Sequence, residues 1–218
     1  MSAGKHLRVV AIDGPAGAGK STVARALANV LNVPYLDTGA MYRGVTFAAL
    51  QQNIDTNDAT AIGELSRRIV FDITETTLHV DGVDATEAIR GSAVTAAVSA
   101  VAANPIVRED LRTRQRQWVS EHGGGVVEGR DIGTVVFPDA TLKVYLTASA
   151  RVRAERRVAQ SGGDVNAIAA SIAERDHQDS TRADSPLREA SDSVTVDTSD
   201  RGIDDVVRQL LALVDEAK

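Results

Sequence analysis

Cysteine is missing from the 218 residues. Its absence excludes a disulfide framework and thiolate metal sites, and it suits a reducing cytoplasm. The four histidines, His6, His79, His122 and His177, are scattered without metal-ligand spacing, so no histidine-built metal centre is expected. Tryptophan occurs once, at Trp118, and reads as packing. Long apolar runs are absent too. Met1 to Arg8 is short and polar and only a brief apolar run follows it, so neither a cleavable signal nor a membrane span is expected. The chain also lacks positive charge: a formal net charge of −6 gives no global pull toward nucleic acid or anionic lipid. Any phosphate site must therefore be a local cluster of cations and amides. Arg112, Arg114 and Arg116 read as the solvated face of an amphipathic helix rather than an RNA-binding stripe. These absences lead us to expect a cytoplasmic protein with no membrane or nucleic-acid partner; a monomer is expected as well, though nothing in the residues speaks to oligomeric state.

What is present suits a soluble globular protein, with 43% hydrophobic and 25% charged residues. The length fits a single domain over 1–218, with room for a small insert. Short β-rich runs at Leu7 to Ile12, Val33 to Leu36, Gly125 to Val127, Leu142 to Leu146 and Val194 to Val196 are separated by helix-like stretches. This alternation predicts an α/β fold, a doubly wound five-stranded parallel sheet with helices on both faces. Helices are predicted near Met41 to Leu50, from Pro105 toward Trp118, after Ser149 and after Gly202. One region breaks the alternation. Ile69 to Ile73 and Thr77 to Val80 precede Asp81-Gly82, a hairpin-type turn, and then Val83. A small antiparallel insert is expected at about residues 62–98.

Gly14-Pro15-Ala16-Gly17-Ala18-Gly19-Lys20-Ser21-Thr22 fits the phosphate-binding loop pattern and sits between the first strand and a helix. Glycines let backbone amides turn inward around phosphate oxygens, and the helix behind presents its positive end. Lys20 should reach the β and γ phosphates of ATP, and the Ser21 hydroxyl should face Mg²⁺. The loop alone does not separate a kinase from a GTPase or a motor ATPase.

Three further clusters fall at strand ends or helix faces, where ligands of open α/β sheets gather. They are Asp37-Thr38-Gly39-Ala40-Met41-Tyr42-Arg43, then Glu128-Gly129-Arg130-Asp131-Ile132-Gly133-Thr134, and Arg175-Asp176-His177-Gln178-Asp179-Ser180-Thr181-Arg182. If the last is helical, Arg175, Asp179 and Arg182 share roughly one face. Each has a plain structural alternative: N-capping by Thr38, a surface ion pair at Arg130 and Asp131, and i,i+4 pairing of Arg175 with Asp179. Arg153 and Arg157 lie four residues apart in Arg151-Val152-Arg153-Ala154-Glu155-Arg156-Arg157, just before Ser161-Gly162-Gly163. They read as a lid over ATP, here placed at 153–175, or as a solvated basic helix face.

On these segments the chain resembles the bacterial cytidylate kinases of the nucleoside monophosphate kinase group, over nearly its whole length. The hairpin insert resembles the one that sets that family apart, and it is accordingly read as a substrate-binding subdomain for the monophosphate. Thr38 stands where Ser is frequent and Glu128 where Asp is frequent; both keep the functional group. The resemblance implies the reaction ATP + CMP = ADP + CDP, with dCMP as a further acceptor, in pyrimidine nucleotide metabolism. It implies that Thr38, Arg43, Arg130 and Arg182 bind or neutralise the CMP phosphate, with Asp37 in the same cluster, and that Arg175 and Asp179 hold the ribose. Ser99, Arg108 and Asp131 match positions that contact cytosine, and Arg153, Arg156 and Arg157 match the lid. Lys20, Arg130, Arg153, Arg157 and Arg182 would carry the transfer. Cytosine offers an amino donor beside two acceptors, so an acceptor such as Asp131 or Ser99 and a donor such as Arg108 make chemical sense. Kinases for UMP, AMP or a non-nucleotide alcohol, and a nucleotide-binding regulator or nucleic-acid-dependent ATPase, are the competing readings.

Overall fold

The computed structural model describes residues 8–217. Strand β1 (Arg8–Asp13) is the hub, because its Val9, Val10, Ala11 and Ile12 are all buried and a strand covered on both faces must be central. It runs parallel to β6 (Gly124–Gly129) on one side and to β7 (Leu142–Thr147) on the other, and β7 runs parallel to β8 (Val194–Asp197). With β2 (Tyr35–Asp37) the five-stranded order is β2-β6-β1-β7-β8. The register sets Asp13 beside Gly129 and Tyr145, so β1 and β6 end level with each other and β7 runs on to Thr147. The expected α/β sheet is present, with strand limits shifted by a residue or two.

The chain forms two compact units, one comprising the residues up to Tyr35 and those from Val119 onward, the other Leu36–Trp118. In the first, α1 (Lys20–Leu31) and α8 (Ile203–Glu216) press Val23, Leu27, Val206 and Leu210 onto Val10, Ile12, Val126 and Val144. Leu27 and Leu210 are fully enclosed, and truncating either to alanine should cost about 2 to 5 kcal/mol. Helices α6 (Ala150–Ser161) and α7 (Val165–Thr181) pack against each other and are joined through Gly162, whose φ of 71° ends α6. Ser149 caps α6 by accepting from the Val152 amide, as its place before an arginine-rich helix suggests.

The second unit holds α2 (Thr38–Gln51), α3 (Ala59–Arg68), α4 (Ser92–Ala103) and α5 (Pro105–His122), which continues past Trp118. Between α3 and α4 lies the antiparallel sheet of β3 (Phe71–Ile73), β4 (Leu78–Val80) and β5 (Val83–Asp84). Its Asp81-Gly82 turn has φ of 51° and 80°, the left-handed pair that a two-residue hairpin demands. Gly44 of α2 leaves room for Phe71, whose ring would stand 2.6 Å from a Cβ there. Helices α3 and α4 were not expected from the sequence. Nor was the π-helical turn Ile132–Val136 that follows β6.

Candidate active site

The glycine-rich loop joins β1 to α1. A Cβ on Gly14, at φ 148°, would lie 2.0 Å from the Leu146 carbonyl oxygen, so the loop can leave the sheet this close to β7 only with glycine. Gly17 has φ 78° and lies against the α6 backbone, its hypothetical Cβ 3.0 Å from Arg153 Cβ. Gly19, at φ 86°, begins α1 without a side-chain cap, which leaves the first-turn amides open to an anion. Lys20 is 8% exposed and its Nζ donates to the Pro15 carbonyl at 2.9 Å. Burial, then the Arg130 charge, pushes the Lys20 ammonium down to about 7, against the opposing pull of Glu128. Ser21 and Thr22 follow on the first turn of α1, Ser21 half-buried and Thr22 exposed.

Two buried carboxylates close the sheet edge. Asp13 accepts from the Ile132 and Gly133 amides at 2.8 and 2.7 Å, which fastens the π-helical turn to β1. Burial pushes the Asp13 carboxyl up to about 6 even though those two amides favour its charged form. Glu128, on β6 one residue back and beside Ile12, accepts a hydrogen bond from the Tyr35 hydroxyl, and the Arg25 guanidinium lies 5.3 Å from the Tyr35 ring centre.

Around them stand the arginines. Arg130 Nε donates to Asp179 Oδ2 at 2.9 Å. Burial opposes the Arg130 charge, but Asp179 outweighs it and holds the guanidinium pKa up. Asp179 shows the reciprocal effect: burial would raise it, yet Arg130, Arg175 and Arg182 together keep it low. Arg182 lies 3.6 Å from Asp131 Oδ1 and 3.8 Å from Asp179 Oδ1, and its Nε donates to the Ser185 carbonyl at 2.8 Å. Arg175 is lowered by burial first and by Arg130 second. The structural alternatives for these residues change accordingly. Arg130 and Asp131 are not a surface pair, since Asp131 is 5% exposed and each meets a residue of the α7 region instead. Asp179 hydrogen-bonds Arg130 rather than its helical neighbour Arg175, because the sheet edge supplies a buried guanidinium in better geometry. Arg182 has left the helix with ψ of 144°, so the shared face ends at Asp179.

The three basic positions of α6 part company. Arg153 donates to the Ala16 carbonyl at 3.1 Å and pairs with Asp176. Arg156 donates to Thr198 Oγ1 at 2.9 Å, while that hydroxyl donates to the Ala18 carbonyl at 3.0 Å, so Arg156 braces the loop from behind. Arg157 is half-buried and its charge reaches Arg175.

In the second unit Asp37, not Thr38, caps α2, accepting from the Ala40 amide at 3.1 Å. Thr38 is the first helical residue and is buried. Arg43 reaches from α2 to the Ile89 carbonyl at 2.8 Å and to Thr95 Oγ1 of α4 at 3.0 Å. Ser99 lies half-buried on α4. Arg108 of α5 is 1% exposed, donates to the Ala102 carbonyl at 3.2 Å and lies 5.6 Å from the Tyr42 ring centre.

Sequence reasoning passed over Tyr35, Asp176 and Thr198. Tyr35 and Thr198 stand 93 and 180 residues from the groups they bond, Glu128 and Ala18, and carry no pattern of their own. Asp176 lay inside a quoted cluster and was hidden by its charged neighbours.

The parallel sheet and the glycine loop define an α/β protein of the P-loop class. Its fold is shared with a gluconokinase from Sinorhizobium meliloti 1021, with a TM-score of 0.53, 14% identity and coverage of 96% of this chain and 92% of that one. The protein TT1252 from Thermus thermophilus gives 0.52 at 17% identity, covering 98% and 99%. The model of the family described as cytidylate kinase matches residues 10–216. A cytidylate kinase of Rhodococcus jostii (strain RHA1) is 54% identical over 217 residues, covering 95% of each chain. Another, from Listeria innocua serovar 6a, is 46% identical over 215 residues, covering 95% of this chain and 96% of its own. The chain belongs to the cytidylate kinase family.

Proposed function

We propose that the chain transfers the γ-phosphoryl of ATP to CMP, and to dCMP, releasing ADP and the cytidine diphosphate. The observation that carries this reading is the buried set Arg130, Asp179, Arg182 and Asp131 at the end of β6, which offers a second anion site beside carboxylates. A protein that only bound or hydrolysed ATP would have no use for it. The acceptor is already an anionic oxygen, so no strong general base is needed; catalysis is alignment and offsetting of crowded negative charge.

In this reading Gly14, Pro15, Ala16, Gly17, Ala18, Gly19, Lys20, Ser21 and Thr22 hold the triphosphate. Lys20 reaches the β and γ phosphates, its proton secured there by the anion. Arg153 and Arg157 neutralise the moving phosphoryl from α6 and, with the 153–175 segment, exclude water. Arg130 and Arg182, with Thr38 and Arg43, bind the CMP phosphate; Arg175 and Asp179 hold the ribose. Asp131 and Ser99 accept from the cytosine amino group and Arg108 donates to its acceptors. Uracil would set an acceptor against a carbonyl, at about 1 to 3 kcal/mol per mispaired group. The Ser21 hydroxyl on the open first turn of α1 is an oxygen donor of the kind Mg²⁺ takes, and the Glu128 carboxylate, whose charge acts on the neighbouring Lys20, is another. A Mg²⁺ ion held by these oxygens would supply positive charge to offset the negative charge of the triphosphate. The residues at about 62–98 serve as a substrate-binding insert, and the protein works as a cytoplasmic monomer.

Initial rates of ADP release with ATP·Mg²⁺ and CMP, dCMP, UMP, AMP or no acceptor test the reading. CMP should give the highest kcat/KM, and Asp131→Ala should erode the preference over UMP selectively. A faster rate with UMP or AMP would reassign the acceptor. Equal ADP release without any acceptor would replace the kinase by a nucleotide-dependent regulator.

A further inference from the structure

The Asp176 carboxylate on α7, itself an anion, meets two groups that the proposed function gives to phosphate. Its Oδ2 accepts from Arg153 Nη1, and its Oδ1 lies 3.4 Å from the Ala16 amide of the glycine loop. The same Arg153 Nη1 donates to the Ala16 carbonyl at 3.1 Å, and Arg153 Nε is fixed by the Ala148 carbonyl at 3.1 Å. The Arg153 backbone also passes close to the loop at Gly17, where an added Cβ would lie 3.3 Å from its Cα and 3.2 Å from its carbonyl oxygen. The side chains of Arg153 and Asp176 are only 11% and 20% exposed, so water screens this pair weakly. A carboxylate oxygen and a phosphate oxygen are both anionic acceptors and seek the same charged and amide donors.

We propose that Asp176 sets the affinity of the loop for phosphate by competing with the nucleotide's oxygens for Arg153 and the Ala16 amide. The inference deepens the reading of the loop as the triphosphate site and rests on it. When a triphosphate enters, Arg153 exchanges its carboxylate partner for a phosphate oxygen, and the lost ion pair subtracts from binding. When the phosphate leaves, the carboxylate reclaims both donors, which favours release of product. Asp176 is a positioning residue in this scheme: it acts through Arg153 and touches no reacting atom.

Calorimetric titration of metal-free inorganic tripolyphosphate into the parent, Asp176→Asn, Arg153→Ala and the double variant tests it. Asparagine keeps the size and removes the charge. Asp176→Asn should bind tripolyphosphate roughly tenfold to a hundredfold more tightly than the parent, because the competing anion is gone. In the Arg153→Ala background the same change should tighten binding by less than about threefold, because the charged one of the two contested donors is gone and only the longer, neutral Ala16 amide contact remains. Unchanged or weaker binding by Asp176→Asn overturns the proposal, and so does equal tightening in both backgrounds, which would reduce Asp176 to a general negative field. Asp176→Ser repeats the comparison should the asparagine variant not give a cooperative melt. No acceptor enters the titration, so a wrong assignment of CMP would leave this result standing, and the reverse.

Discussion

Arg130 Nε and Asp179 Oδ2, 2.9 Å apart, tie the end of β6 to the last turns of α7, and their side chains are 18% and 8% exposed. Removing Arg130 takes away the hydrogen-bonded partner of this enclosed carboxylate and leaves it only the more distant charges of Arg182 and Arg175. Arg130→Ala should therefore cost about 3 to 5 kcal/mol by urea unfolding. Arg130→Lys should keep most of the stability and still lose about a hundredfold in kcat/KM for CMP, since an ammonium cannot reproduce the planar fork. A lysine variant with parental kinetics would show that Arg130 serves the fold alone.

Lys20 makes stability depend on pH in a direction that can be derived. Its folded pKa is about 7 against an ordinary 10.5. Between those values the unfolded chain binds the extra proton, so stability rises with pH across that window and the cost of burying the charge is fully present below about 7. Lys20→Met removes the cost, and the variant should gain on the order of 3 kcal/mol at pH 6, shrinking toward zero near pH 10. Activity should fall at least about a thousandfold. A gain independent of pH would contradict the burial account.

Tyr35→Phe deletes the hydroxyl that donates to Glu128, where both side chains are buried. The carboxylate loses a buried donor, and unfolding free energy should drop by about 1 to 3 kcal/mol with an unchanged m-value. Loss confined to a few tenths would mean that other donors already satisfy Glu128.

The two inner glycines should respond differently to alanine. Gly14→Ala meets backbone at 2.0 Å and should leave little folded protein. Gly17→Ala meets Arg153 at 3.0 Å in a left-handed conformation, which costs about 1 to 2 kcal/mol, so it should fold and bind ATP at least about tenfold more weakly. Thermal melts with and without ATP separate the two cases.

Much of this was legible in the residues, for identifiable reasons. Buried strands announce themselves as short apolar runs, and Asp81-Gly82 names its own turn because few other residues take left-handed φ twice. The glycine loop is readable since its conformation admits only glycine at Gly14. Helix α4 was not, because Ser92–Ala103 is alanine- and valine-rich with little polar contrast to mark a face. Asp37 rather than Thr38 as the α2 cap turns on one residue of phase, which pattern does not resolve. The partner of Asp179 was hidden for a deeper reason: sequence shows only the neighbour four positions away, while Arg130 arrives through the sheet. Tyr35, Asp176 and Thr198 take their meaning from tertiary contacts alone.

The central claim is transfer of a phosphoryl group to CMP rather than to water. Quantifying CDP and ADP chromatographically in one reaction with ATP·Mg²⁺ and CMP tests it most directly. The account predicts CDP and ADP in equal amounts, with ADP release falling at least about a hundredfold when CMP is left out. ADP formed without matching CDP, at a rate indifferent to CMP, would contradict it.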